Sequence, residues 1–131
     1  MRILLLLSLL SVPVFAQKAI EPVRVSLALA AENPSASDLE FNDRLREEFN
    51  RLRLAITTRR GDYDITVATT RITVEGKPKG YACAVLIMDA HRRFRLSVET
   101  GSSLLGMAQD LATYLDKEYF QTKRRGNERG R

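Results

Sequence analysis

One cysteine and one histidine are all that the chain offers of the two residue types most used in metal and nucleophilic sites. With Cys83 alone, no intrachain disulfide framework forms and no cysteine cluster can hold a metal within one chain. His91 alone excludes any site that takes two histidines from the same subunit. A Ser or Cys nucleophile needs an imidazole beside it and an acid to orient it. The sole imidazole sits in Asp89-Ala90-His91-Arg92, which reads as a solvated turn between strands. No Gly-x-Ser-x-Gly elbow and no phosphate-cradling glycine loop occurs. Ser102-Ser103, after Gly101, reads as a helix cap. The expectation is a non-catalytic protein without cofactor or metal.

Hydrophobic runs are short as well. Met1 and Arg2 form a positive start, and Ile3–Leu10 is apolar apart from Ser8. Ser11 and Pro13 follow, then Val14-Phe15-Ala16 before Gln17. A membrane-crossing helix needs about 20 apolar residues, more than this stretch supplies. Its form is that of a signal peptide over residues 1–16, cut after Ala16. No cysteine lies near that point to carry a lipid. The expected location is periplasmic or secreted. In such a compartment a free thiol draws notice, but Cys83 lies within Tyr81–Met88, an apolar run that reads as a buried strand.

The formal net charge is +5 over 131 residues, and its location matters more than its size. Arg2 belongs to the leader, and residues 122–131 carry five basic side chains against Glu128. Between them, over residues 17–121, acidic and basic residues are equal in number. A neutral body with a short basic tail is not a basic domain. Nucleic acid is disfavoured as a partner, because the expected compartment lacks it and because no aromatic platform is interleaved with the basic residues.

Val23–Leu29 alternates large apolar residues with others, the mark of a strand with one face inward. After an Asn33-Pro34 breaker, Ser37-Asp38-Leu39-Glu40 reads as a capping box. Phe41, Leu45, Phe49 and Leu52 then recur at helical spacing, with charges filling the other face. Leu54 and Ile56 suggest a short strand, and Tyr63–Val74 a long one. Glu75–Gly80 reads as a hairpin loop into Tyr81–Asp89, a strand apolar at successive positions and so expected to be covered on both faces. In Arg93–Glu99, Phe94, Leu96 and Val98 are expected inward and the charges outward. A last helix spans Ser102 to about Phe120, with Leu104, Met107, Ala108, Leu111, Ala112 and Leu115 as its stripe. Disorder is expected over residues 122–131.

These elements give one domain over residues 17–121, of α+β class. The expected architecture is a two-layer sandwich of order βαββββα: a mostly antiparallel sheet with two helices on one face. Two helices rarely cover every strand. The open sheet face is therefore expected to be covered by a homodimer partner, the tail or another protein.

The succession of a strand, a helix with Phe and Leu, and a short strand is followed by Gly61-Asp62-Tyr63-Asp64-Ile65-Thr66-Val67. A hairpin then leads into Gly80-Tyr81-Ala82-Cys83-Ala84-Val85-Leu86-Ile87. This pattern, over about residues 23–120, resembles small exported α/β domains. They include the N-terminal domain of the Tol-system translocation protein and the domains of curli-secretion and penicillin-binding-protein-activator lipoproteins. The resemblance implies a non-catalytic periplasmic protein-interaction module and carries over no ligand residues.

Two further groups of residues qualify as candidates. Asp62 and Asp64 lie two apart and could present a carboxylate pair to a cation, though Arg59 and Arg60 just before them favour local charge pairing. Arg93 and Arg95, with Lys123, Arg124 and Arg125 of the tail, are the candidate partner-binding residues. The expected partner is an envelope protein. The alternative is an anionic envelope component, a glycan or lipid headgroup, held by these basic side chains.

Overall fold

The protein, as a computed structural model, is described over residues 22–129. The leader expected over residues 1–16 and the final two residues of the tail lie outside that range. Alternation along β1 (Val23–Leu29) buries Val23 and Val25, with Leu27 and Leu29 packed against the same core. Next come α1 (Ala36–Leu52), β2 (Ala55–Thr57), β3 (Tyr63–Val74), β4 (Lys77–Asp89) and β5 (Phe94–Gly101). The chain ends in α2 (Leu104–Leu115), a π-helical turn over Asp116–Phe120, and α3 (Gln121–Arg129).

The strands form one sheet in the order β2-β1-β3-β4-β5. β1 runs parallel to β2 and β3, while β3, β4 and β5 form an antiparallel meander that holds most of the paired residues. The helical crossover through α1 is what allows β1 and β2 to pair in parallel. The α+β sandwich expected from the sequence, βαββββα with its helices on one face, is the observed fold.

Phe41, Leu45 and Phe49 of α1 lie fully buried between the sheet and α2, whose Leu111, Ala112 and Leu115 are equally enclosed. Phe120 closes this core against Phe49, ring edge to face at 5.7 Å. From the sheet, Ile65, Val67, Val85, Ile87 and Cys83 complete it. Ser103 caps α2 by accepting from the Gly106 N–H at 3.1 Å.

The cap of α1 falls two residues before the expected one. Ser35, not Ser37, is the N-cap: its hydroxyl accepts from the Asp38 N–H, and the Asp38 carboxylate accepts from the Ser35 N–H at 2.9 Å. Two overlapping boxes exist in the sequence. Asp38 selects the first because its other carboxylate oxygen is committed to Thr69 on β3.

The β3–β4 connection is tighter than the six residues expected. Only Glu75 and Gly76 lie outside the strands, at φ 51° and 75°, the left-handed conformations that a two-residue hairpin turn demands. Pairing then continues through Pro78, and Lys79 is the extra residue at a bulge, since Ile72 faces Gly80 and Thr73 faces Pro78.

Within the tail expected to be disordered, residues 122–129 belong to α3, which carries the helix on to Arg129. Composition pointed to a solvated tail, but Arg124 is a clamp. Its guanidinium donates to the Leu54 carbonyl at 3.2 Å and pairs with Asp116, whose other oxygen accepts from Gln121. A π turn precedes it, and the Tyr119 carbonyl there accepts from the Tyr63 hydroxyl at 3.3 Å.

Candidate interaction surface

The side assignment of β5 reverses the sequence expectation. Phe94, Leu96 and Val98, expected inward, are 73%, 63% and 66% exposed. The hairpin register explains why. Asp89 and Arg93 close a three-residue turn, with the Asp89 N–H donating to Arg93 O and Arg92 at φ 58°. Counting back from it, Arg95 stands opposite Ile87, Ser97 opposite Val85 and Glu99 opposite Cys83. Ile87, Val85 and Cys83 face the helices, so the charged positions of β5 share their side and the apolar ones face out.

The strand expected to be covered on both faces is covered on one. Cys83, Val85 and Ile87 are buried, whereas Ala82, Ala84, Leu86 and Met88 are only half-buried. On the open face Phe94 lies opposite Met88, Leu96 opposite Leu86 and Val98 opposite Ala84. The next strand adds Asp64, Thr66 and Ala68 to these rows. Scattered exposed apolar side chains are ordinary; these three stand at alternate positions of one strand and form a contiguous ladder.

The five basic candidates do not form one patch. Arg93 and Arg95 border a cavity of about 490 Å³ between the β4–β5 end and the π turn, with Tyr63, Asp89 and Tyr119. Arg93 Nε is 2.8 Å from Asp89 Oδ2. Partial burial draws the Asp89 carboxyl upward, but hydrogen bonds from Arg93 and the His91 N–H outweigh it and hold it below the usual carboxylate range. Arg95 lies against the hydroxyls of Tyr114 and Tyr119. Lys123 Nζ is 3.6 Å from Asp62 Oδ1, Arg124 is the clamp described above, and Arg125 is exposed on α3. Three of the five are thus engaged with carboxylates of their own chain.

Other candidates resolve structurally. Asp62 accepts from the Arg24 N–H at 3.2 Å, while Asp64 points from the open face, so they do not share a site. Among the described residues no group of three potential ligands could hold a metal ion. His91 is exposed in the β4–β5 turn. Cys83 is buried, and burial pushes its thiol up to about 11, with the Glu99 carboxylate adding to the effect. No described helix is long and apolar enough to cross a membrane.

Sequence reasoning missed Phe94, Leu96 and Val98 as surface residues. The signal was the turn length: a three-residue loop after Asp89 fixes the parity of β5 relative to the core positions of β4.

No protein-family model and no curated protein matches the chain. Among solved structures it is similar to the crystal structure of protein XCC0632 from Xanthomonas campestris, described under the family model DUF330. The TM-score is 0.50 at 13% identity, covering 81% of this chain and 92% of that one, a likeness of fold.

Proposed function

We propose that the chain is a non-catalytic, exported accessory module of the cell envelope that offers its open sheet face to a protein partner. The observation that carries this reading is the exposed apolar ladder of Phe94, Leu96 and Val98 beside Leu86 and Met88. Leaving three large apolar side chains in water forgoes roughly 1.5–3 kcal/mol each of burial energy. A partner that covers them recovers it. The neutral body places no electrostatic demand on that partner, and engagement of Arg93, Lys123 and Arg124 within the chain turns the reading from anionic ligands toward protein contact.

The test is site-specific photocrosslinking in living cells from position 86, on the open face but away from the sheet edge. A discrete heterologous adduct in the envelope fraction is expected, and it should vanish when Phe94→Ser and Val98→Ser are combined. A folded, exported chain that yields no such adduct overturns the reading.

A further inference from the structure

β5 is the last strand of the sheet, and among the described residues nothing pairs with its outer side. Sheet edges are ordinarily blunted by proline, a bulge or charged side chains. This one has only the charges, Arg95 and Glu99, in eight residues that pair with β4 from Phe94 to Gly101 without a register shift. The free side is therefore a straight template for another strand.

The charges on this edge suit a particular strand. Arg95 and Glu99 lie on the helix-side face, two residues either side of Ser97. Among the described residues neither is within ion-pair distance of an opposite charge. Glu99 stands instead near a like charge, Asp110 of α2; burial foremost, and then that carboxylate, push its carboxyl above the usual range. One end of the edge thus lacks an anion and the other lacks a cation.

We propose that two copies of the chain pair antiparallel through β5, about a two-fold axis at Ser97, into one ten-stranded sheet. With the axis there, Arg95 of each copy stands opposite Glu99 of the other, and Asp110 adds to the site that receives the guanidinium. On the open face Leu96 stands opposite Val98 of the second copy, so two apolar ladders become one. Shifting the axis by one residue toward Leu96 sets Arg95 opposite Ser97 and leaves Glu99 facing Arg93, already held by Asp89. Shifting it the other way sets Arg95 opposite Gly101. Only the central register satisfies both charges, and as an isologous contact it closes at two copies. It uses the strand's backbone edge and not the open face, so it stands independently of the function proposed above.

Sedimentation equilibrium on the purified full chain tests this. The parent should dimerise reversibly, Arg95→Glu and Glu99→Arg should each weaken the dimer by roughly tenfold or more, and the double swap should restore it. Directly opposed Cβ atoms across an antiparallel pair lie within disulfide reach, so Ser97→Cys should yield a covalent dimer on mild oxidation. A monomer at every concentration overturns the proposal, as does a dimer indifferent to the single swaps, which would be joined through the open face or the leader. Should the swaps impair folding, Ser97→Cys decides alone, and a folded variant that stays monomeric after oxidation overturns it.

Discussion

Asp38 Oδ1 accepts from both the Thr69 N–H at 2.7 Å and the Thr69 hydroxyl at 2.8 Å, joining the first turn of α1 to the middle of β3 across 31 positions of sequence. Its second oxygen accepts from the Ser35 N–H and hydroxyl, each at 2.9 Å. Burial alone would raise this carboxyl; four hydrogen bonds overcome that and hold it at about 2.

A carboxyl lowered from its ordinary 3.8 to about 2 stabilises the fold above the unfolded value and loses that contribution as pH falls through the folded one. Asp38→Asn should therefore destabilise the protein at neutral pH by roughly 1–2 kcal/mol. It should also flatten the fall in stability between about pH 4 and pH 2. Urea unfolding at a series of pH values checks both, and an unchanged acid slope would refute the assignment.

Arg124 joins α3 to Leu54, between α1 and β2, and to Asp116, both in part-buried surroundings. Arg124→Ala should leave the sheet intact and release the helix beyond the π turn. Hydrogen exchange should show faster exchange in residues 121–129 by about tenfold or more, with β3 and β4 unchanged. Uniform protection would mean that α3 is held by something else.

Gly61 lies where the chain passes β1, and a Cβ there would come within 2.5 Å of the Arg24 carbonyl oxygen. The atoms it would meet are all β1 backbone, Arg24 and Val25, so no flexible side chain is there to yield. Gly61→Ala should cost about 1–3 kcal/mol, read from the urea midpoint. Gly126→Ala meets nothing within 4 Å and should cost no stability.

Cys83 is enclosed in the core with its thiol raised to about 11. At pH 8 its thiolate fraction is on the order of a hundredfold below that of an ordinary cysteine. A thiol reagent should react slowly with the native chain and at once in denaturant. Prompt reaction in the native state would remove Cys83 from the core.

Local chemistry made much of this fold legible. The 3.6-residue recurrence of Phe41, Leu45 and Phe49 gave α1 and its buried face, and the run from Tyr63 to Val74 gave β3 to the residue. Cys83 as a core residue followed from its apolar neighbours. Where the sequence held two equivalent answers, it could not choose. Ser35-x-x-Asp38 and Ser37-x-x-Glu40 are both credible caps, and Thr69, distant in sequence, selects one.

Charge position was likewise readable along the chain but not in space. The +5 resolved into a neutral body and a basic end, yet whether that end was solvated depended on Arg124 finding the Leu54 carbonyl, 70 positions away. The alternation in β5 was written in Phe94, Leu96 and Val98, but alternation has no sign. Which side meets the helices is set by the three-residue turn after Asp89 and by the buried face of β4. Sequence determined the periods, because they arise from backbone geometry. Tertiary structure decided their phase, because phase is a relation between strands, and it turned three expected core residues into the most exposed apolar ladder of the sheet.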